Sequence, residues 1–330
     1  MINPEQSLAP DIFDKPAMAS TREGFGTGSV EAGERDSRVV VLSADLAEST
    51  QAHRFAARFP ERFVQVGVAE QNLATVAAGM ANYGKIPFFT SYATFSPGRN
   101  WEQIRTTIAI NNLSAKICGM HAGVSVGPDG ATHQALEDIA LMRVLPHLTV
   151  LYPCDSEEGR KATLAAAQLP GPVYLRFARE KSPVLTTAHT PFAIGKANVL
   201  WQSEQPSVAV FSTGPLTYQA LVAARALESE GVSVSVTHVH TIKPLDKDTL
   251  IREAKRAGAV VTVEEHQVAG GFGGAVAELL AAECPLPIEF IGAHDCFGQS
   301  GKPDELIEHY GMGASAIAEA VKKAKTRRRV

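Results

Sequence analysis

Residues 63–92 read FVQVGVAEQNLATVAAGMANYGKIPFFTSY, and the order of residue types in this stretch decides the fold. FVQVG and IPFFTSY are short runs of Val, Ile and aromatic residues, which fit the pleated, buried surface of a strand. Between them Leu73, Val76, Ala77 and Met80 recur at helical spacing, and Gly84 supplies the stop. Strand, helix and strand in that order predict a parallel α/β layer.

The same alternation continues on both sides. RVVVLSAD (38–45), AKICGM (115–120), LTVLYPCD (148–155) and VYLRFAR (173–179) read as further strands. Several are apolar throughout, which predicts parallel strands covered on both faces. At 181–197, KSPVLTTAHTPFAIGKA, the pattern is interrupted by Pro, Thr and Gly. It restarts with VAVFSTG (208–214), VSVSVTHV (232–239), GAVVTVEE (258–265) and PIEFIGA (287–293). A helix is expected over 217–230, with Leu216, Ala220, Ala224 and Leu227 on one face. The expectation is two consecutive three-layer α/β domains with mostly parallel sheets, residues 1–185 and 186–330. A length of 330 residues suits two domains of roughly 150 each.

Hydrophobic content of 45% with 20% charged residues belongs to a globular chain and excludes general disorder. A net charge of −4 offers no general attraction to nucleic acid or an anionic membrane, so any anion site must be built locally. No run reaches the roughly 18 apolar residues of a membrane helix. The first residues lack the pattern of a signal peptide, and a cytoplasmic setting is expected. Cys118, Cys154, Cys284 and Cys296 are scattered without metal-ligand spacing and read as small buried side chains; no metal is expected on this chain. The basic end, KKAKTRRRV (322–330), reads as a frayed, solvated tail.

Two segments place polar groups where a core would not hold them. Glu70 falls in the first turn of the helix that follows FVQVG, beside unpaired N–H groups and the positive dipole end. The C-terminal end of a parallel strand is also where open α/β sheets bind ligands. GMHAGVSVGPDGATHQALED (119–138) holds His121, Asp129, His133 and four glycines, with the next helix expected near Thr132 or His133. Glycine permits close backbone approach to a ligand.

V-G-V-A-E-Q-N (66–72) and H-A-G-V-S-V-G-P-D-G-A-T-H-Q (121–134) strongly resemble the pyrimidine-binding half of transketolases. In family order come T-R (21–22), S-A-D-L-A-E-S (43–49), G-R with W-E-Q-I-R (98–105) and L-R-F-A-R (175–179). H-T-I-K-P-L-D (240–246), E-E-H (264–266) and A-G-G-F-G-G (269–274) resemble the family's last domain. No G-D-G motif, with which such enzymes hold the cofactor's diphosphate through magnesium, occurs in the sequence. The chain is therefore similar to the C-terminal subunit of a split transketolase. The resemblance implies thiamine diphosphate as cofactor, Mg²⁺ on a separate N-terminal subunit, and self-dimerisation within a heterotetramer.

It also implies roles. Glu70 would hydrogen-bond N1′ of the aminopyrimidine and help the cofactor lose its C2 proton, a task suited to a desolvated carboxyl group. Phe95 and Trp101 would wall the pyrimidine; Asp45 and Leu46 would lie near the thiazolium and the neighbouring subunit. Arg22, Ser49, His121 and Arg179 would hold a sugar phosphate, with Arg176 a neighbour of no special role. Asp129 would read a substrate hydroxyl and His133 would donate to the oxygen that gains charge. Glu264, Glu265 and His266 would serve an interface or packing in a domain away from the chemistry, and A-G-G-F-G-G would be a turn feeding a helix. The transfer expected is of a two-carbon ketol unit from a ketose phosphate to an aldose phosphate. The β subunit of a 2-oxo acid dehydrogenase and a deoxyxylulose-phosphate synthase are the nearest alternatives. A non-catalytic regulatory subunit and a dinucleotide oxidoreductase are further ones, the last opposed by an incomplete glycine fingerprint.

Overall fold

Apolar runs bounded by turn residues become strands because both of their faces are covered. In the computed structural model, which describes residues 1–328, these are β1 (Met18–Ser20), β2 (Val39–Ser43), β3 (Phe63–Gln65), β4 (Ile86–Tyr92) and β5 (Lys116–Met120). They continue with β6 (Thr149–Leu151), β7 (Val173–Arg176), β8 (Lys181–Pro183), β9 (Asn198–Trp201) and β10 (Val208–Ser212). The last are β11 (Val234–His238), β12 (Thr241–Lys243), β13 (Val260–Gln267) and β14 (Ile288–Ala293).

A seven-stranded sheet runs β12-β6-β7-β5-β4-β2-β3, parallel except for the antiparallel edge strand β12. A five-stranded sheet runs β14-β13-β10-β11-β9, parallel except for β9. In β2, Val39 and Val41 enter one apolar cluster with Phe25 and Phe88. Val40 and Leu42 enter another with Leu73, Ala77 and Phe89. This two-faced burial is why the strand sequence does not alternate. The expected two-sheet α/β architecture is present.

β1, β8, β9 and β12 were not anticipated. Each has three or four residues, too few to show a period, and β1 and β8 pair only with each other. Several contacts cross the line between residues 185 and 186. β12, from the second half, completes the first sheet, and Asn3 N–H donates to Leu200 O at 2.8 Å beside β9. The apolar cluster around Leu42 also runs on through Ile242 to Phe211 and Phe272, so the two sheets share one core.

Buried polar contacts bridge the halves. Arg176, fully buried, donates through Nε to Asp138 at 2.8 Å and through Nη2 to Glu265 O at 3.0 Å. Glu158 and His238 meet at 2.7 Å, both buried. Burying such charged groups costs several kcal/mol of desolvation, which their mutual attraction and hydrogen bonds must offset.

Leu216, Ala220, Ala224 and Leu227 are all buried along the helix Thr217–Ser229. The glycine turn at 269–274 does feed a helix, Phe272–Glu283, whose first N–H groups donate to Glu264 at 2.6 and 2.7 Å. The expectation of a frayed basic tail is corrected for the described part. The helix Ala314–Thr326 includes Lys322 and Lys323, paired with Glu230 and Glu289 at 2.6 and 2.8 Å, and Arg327 also pairs with Glu289. Arg329 and Val330 lie outside the described residues. Cys118 and Cys154 are buried; Cys284 and Cys296 are partly so.

Candidate active site

The polar groups collect where the parallel strands of the first sheet end. Glu70 opens the helix Glu70–Asn82 and is 3% exposed. Ser91, near the end of β4, donates to its Oε1 at 3.2 Å, and Arg99 donates to its Oε2 at 3.2 Å. Asn100 donates to the Glu70 carbonyl at 2.9 Å. The Arg99 guanidinium also lies over the Phe95 ring at 4.3 Å. Carboxylate, guanidinium and aromatic face thus form one unit.

Tyr92, which the sequence reading passed over, is the hub beside it. Its ring stacks on His121 at 3.9 Å and lies 5.9 Å from Phe95 and 6.0 Å from His133; Phe95 and His133 are 5.4 Å apart. Tyr92 closes the strand IPFFTSY three residues before Phe95, where nothing in the sequence sets it apart from the other aromatic residues of that run.

His121 is buried with φ +54°, and its Nδ1 has no hydrogen-bond partner among the described residues. Burial first, then the positive fields of Arg22 and Arg179, depress its pKa to about 3, so the ring is neutral. Arg22 donates through Nε to Arg179 O at 3.0 Å and through Nη1 to Ser49 O at 2.5 Å. Ser49 therefore meets Arg22 through its backbone, not its hydroxyl. Arg179 donates to Val126 O at 2.6 Å from a half-buried position. Burial and the Arg179 charge lower the Arg22 pKa. Arg22 is thus tied to the Arg179 backbone, and Arg179 Nη1 also lies 3.5 Å from the Glu180 carboxylate.

Asp45, at φ +62°, lies exposed beyond β2, with its N–H on Gln65 at 2.7 Å, and Leu46 N–H donates to Ser43 at 3.2 Å. Asp129 is exposed on the outer turn of the loop. Three expectations are corrected. Trp101 does not join the aromatic group: its indole N–H donates to Leu141 O at 2.8 Å and its ring packs against the main core. The helix after the glycine loop begins at Asp138, so His133 sits in a turn with Nδ1 2.9 Å from Thr132 Oγ1. The second domain is not remote from the loop, because Ser125 N–H donates to Glu265 at 2.6 Å. Arg176 and Arg179 are distinct: Arg176 is locked in the core, while Arg179 is half-buried and donates to Val126 O.

A family model described as the transketolase pyrimidine binding domain matches residues 17–184, and one described as the transketolase C-terminal domain matches 195–317. The chain belongs to the transketolase family. A split-gene transketolase, solved as an inactive β4 tetramer, is 44% identical with a TM-score of 0.88, covering 94% of this chain and 99% of that one. A provisionally named transketolase C-terminal section from Methanocaldococcus jannaschii is 41% identical over 91% of this chain and 94% of its own length. A subunit of a 6-deoxy-6-sulfo-D-fructose transketolase from Clostridium sp. (strain MSTE9) is 38% identical over 91% and 92%. Human transketolase is 34% identical, but this chain spans 48% of it. The chain corresponds to the C-terminal section of a split transketolase. The family and its pyrimidine-binding domain imply thiamine diphosphate. The residues present fit it: a buried carboxylate and an aromatic face for an N-heterocycle, next to an orphaned imidazole nitrogen.

Proposed function

We propose that this chain, docked on a separate N-terminal subunit, forms a thiamine-diphosphate-dependent transketolase that moves a two-carbon ketol unit from a ketose phosphate to an aldose phosphate. The observation that carries the reading is the junction of Glu70, Phe95 and Tyr92 with the Arg22–Arg179–His121 anion site. Thiamine diphosphate, when bound, supplies a nucleophilic carbon and an electron sink. Glu70 receives N1′ of the pyrimidine and shares its proton. Phe95 and Tyr92 supply the aromatic surface for the ring and its surroundings. Arg22, Arg179, neutral His121 and Ser49 orient the terminal anion of the sugar. His133 donates to the oxygen that gains charge, and Asp129 reads a substrate hydroxyl. Asp45 and Leu46 lie toward the thiazolium and the neighbouring subunit.

With no G-D-G motif in the sequence, Mg²⁺ and the diphosphate fall to the N-terminal subunit. Two copies of each subunit are the proposed assembly. Among the described residues no helix is long and apolar enough to cross a membrane, and the four cysteines are free thiols, which suits the cytoplasmic setting we propose.

The test is co-expression with the N-terminal half and a thiamine-diphosphate-dependent ketol-transfer assay on phosphorylated and sulfonated ketoses. Transfer by the pair and none by the isolated chain is expected. Full transfer by this chain alone overturns the split reading, and lipoyl-dependent oxidation of a 2-oxo acid in place of transfer overturns the reaction.

A further inference from the structure

The loop from His121 to Gln134 carries three of the proposed substrate residues, and its first residues are tied to the first domain by Ala122 N–H on Phe177 O at 3.2 Å and Gly123 N–H on Ala135 O at 2.9 Å. Further support comes from the second domain. Glu265, at the C-terminal end of β13 and 1% exposed, accepts the Ser125 N–H at 2.6 Å. Gly123 has φ +90°, and a Cβ there would lie 2.3 Å from the Glu265 carboxylate, so the loop is cut away to admit this side chain. Gln134, also buried, donates through Nε2 to Val124 O at 3.0 Å, Gly127 O at 3.2 Å and, across the domain boundary, Gln299 O at 3.0 Å.

A carboxylate is an expensive choice for such a place. Burial raises the Glu265 pKa, and no cation lies within ion-pair distance of it among the described residues. An apolar residue of similar volume would serve packing better. What the carboxylate offers instead is a strong acceptor aimed at one backbone N–H between His121 and Asp129.

We propose that Glu265 is a positioning residue for ketol transfer, acting through Ser125 to hold His121 and His133 opposite the Arg22–Arg179 anion site. The inference rests on the function proposed above. It gives the second domain a part in substrate binding, since a misplacement of about 1 Å at such groups costs up to about 100-fold in rate.

The test compares Glu265→Ala, Glu265→Gln and Glu265→Asp with wild type in the co-assembled enzyme. The expected result for Glu265→Ala is a rise of about tenfold or more in KM for the phosphorylated ketose. Its thiamine diphosphate Kd should stay within about twofold, and Glu265→Gln, which keeps an acceptor, should recover most of the loss. Glu265→Asp keeps the charge but draws it back from Ser125; it should share the KM defect, which covers the case of an alanine variant that does not fold. Hydrogen exchange on the isolated chain is the second readout. Faster exchange confined to residues 121–134 is expected in Glu265→Ala, with the helix Thr217–Ser229 still protected. A wild-type KM in both Ala and Asp variants overturns the proposal. So does a uniform loss of cofactor binding and of protection throughout, the mark of a merely structural residue. If no protein, wild type included, transfers a ketol unit while the exchange result stays local, the proposed reaction has failed and the Glu265 brace has not.

Discussion

Arg99 meets Glu70 at 3.2 Å although the two differ sharply in exposure, 55% against 3%. The carboxylate is thus buried but held by a side chain that reaches it from solvent. The pyrimidine edge of a cofactor entering beside Phe95 would approach along the same side as Arg99. The proposed reaction therefore depends on Glu70.

Glu70→Ala and Glu70→Gln should abolish ketol transfer in the co-assembled enzyme while the far-ultraviolet circular dichroism stays that of wild type. A variant retaining more than about a tenth of wild-type turnover, a barrier change under roughly 1.4 kcal/mol, contradicts the proton-sharing role.

The aromatic wall can be tested by cofactor titration. Phe95→Ala should weaken thiamine diphosphate binding by about tenfold, as loss of a stacked ring does. Trp101→Phe should leave it within about twofold, because the Trp101 indole is turned to Leu141. The reverse order of effects would restore Trp101 to the site.

Replacing Arg179 by Gln should raise KM for a phosphorylated ketose far more than for its unphosphorylated analogue, since a guanidinium contributes through the anion. Equal effects on the two substrates reject anion binding at this position.

His121 should remain neutral through the working range. Its pKa is lowered to about 3 by burial and by Arg22 and Arg179, so its ring resonances should not move between about pH 8 and 5. The unfolded imidazole takes a proton near 6.5, so this residue withdraws stability as pH falls from there toward 3. A ring titrating near 6.5 in the folded protein would show that it is open to water.

Acid should loosen the contact between the domains. Burial by itself would raise the Glu158 pKa, but His238 opposite brings it down to about 2 from its ordinary 4.5. A depressed carboxylate pKa stabilises the fold above 4.5, and that contribution disappears as pH falls from 4.5 to 2. Glu158→Ala should cost about 1–3 kcal/mol at neutral pH, measured by denaturant unfolding, by leaving the buried His238 Nε2 and Cys154 N–H without their acceptor. A variant as stable as wild type would show that the pair contributes nothing.

The fold was legible because long apolar runs and one clear helical period leave few alternatives: β2, β4, β5 and β10 all lie where their sequence puts them. Short edge strands were not, since β1 and β12 hold three residues each and owe their state to partners far along the chain. In the candidate site, Glu70, His121 and Arg179 could be named from motifs. Tyr92 could not, because inside a strand it resembles any other aromatic residue, and Arg99 shows its partner only once the turn after β4 has folded back over the helix. Trp101 misled for the opposite reason: an aromatic residue near a site motif turned its polar edge to a carbonyl on the other side. Glu265 could be named within E-E-H, but its contact could not, because Ser125 is 140 residues away.

The late arrival of β12 bears on how this protein can be made. Translation must pass residue 243 before the first sheet has its outer rim, so a ribosome-bound chain carries β6 as a bare edge while half of the second domain is still unmade. Bare edges recruit strands from other molecules. A gene cut between the two family-model regions would yield an N-terminal fragment that sticks to itself rather than a free-standing module.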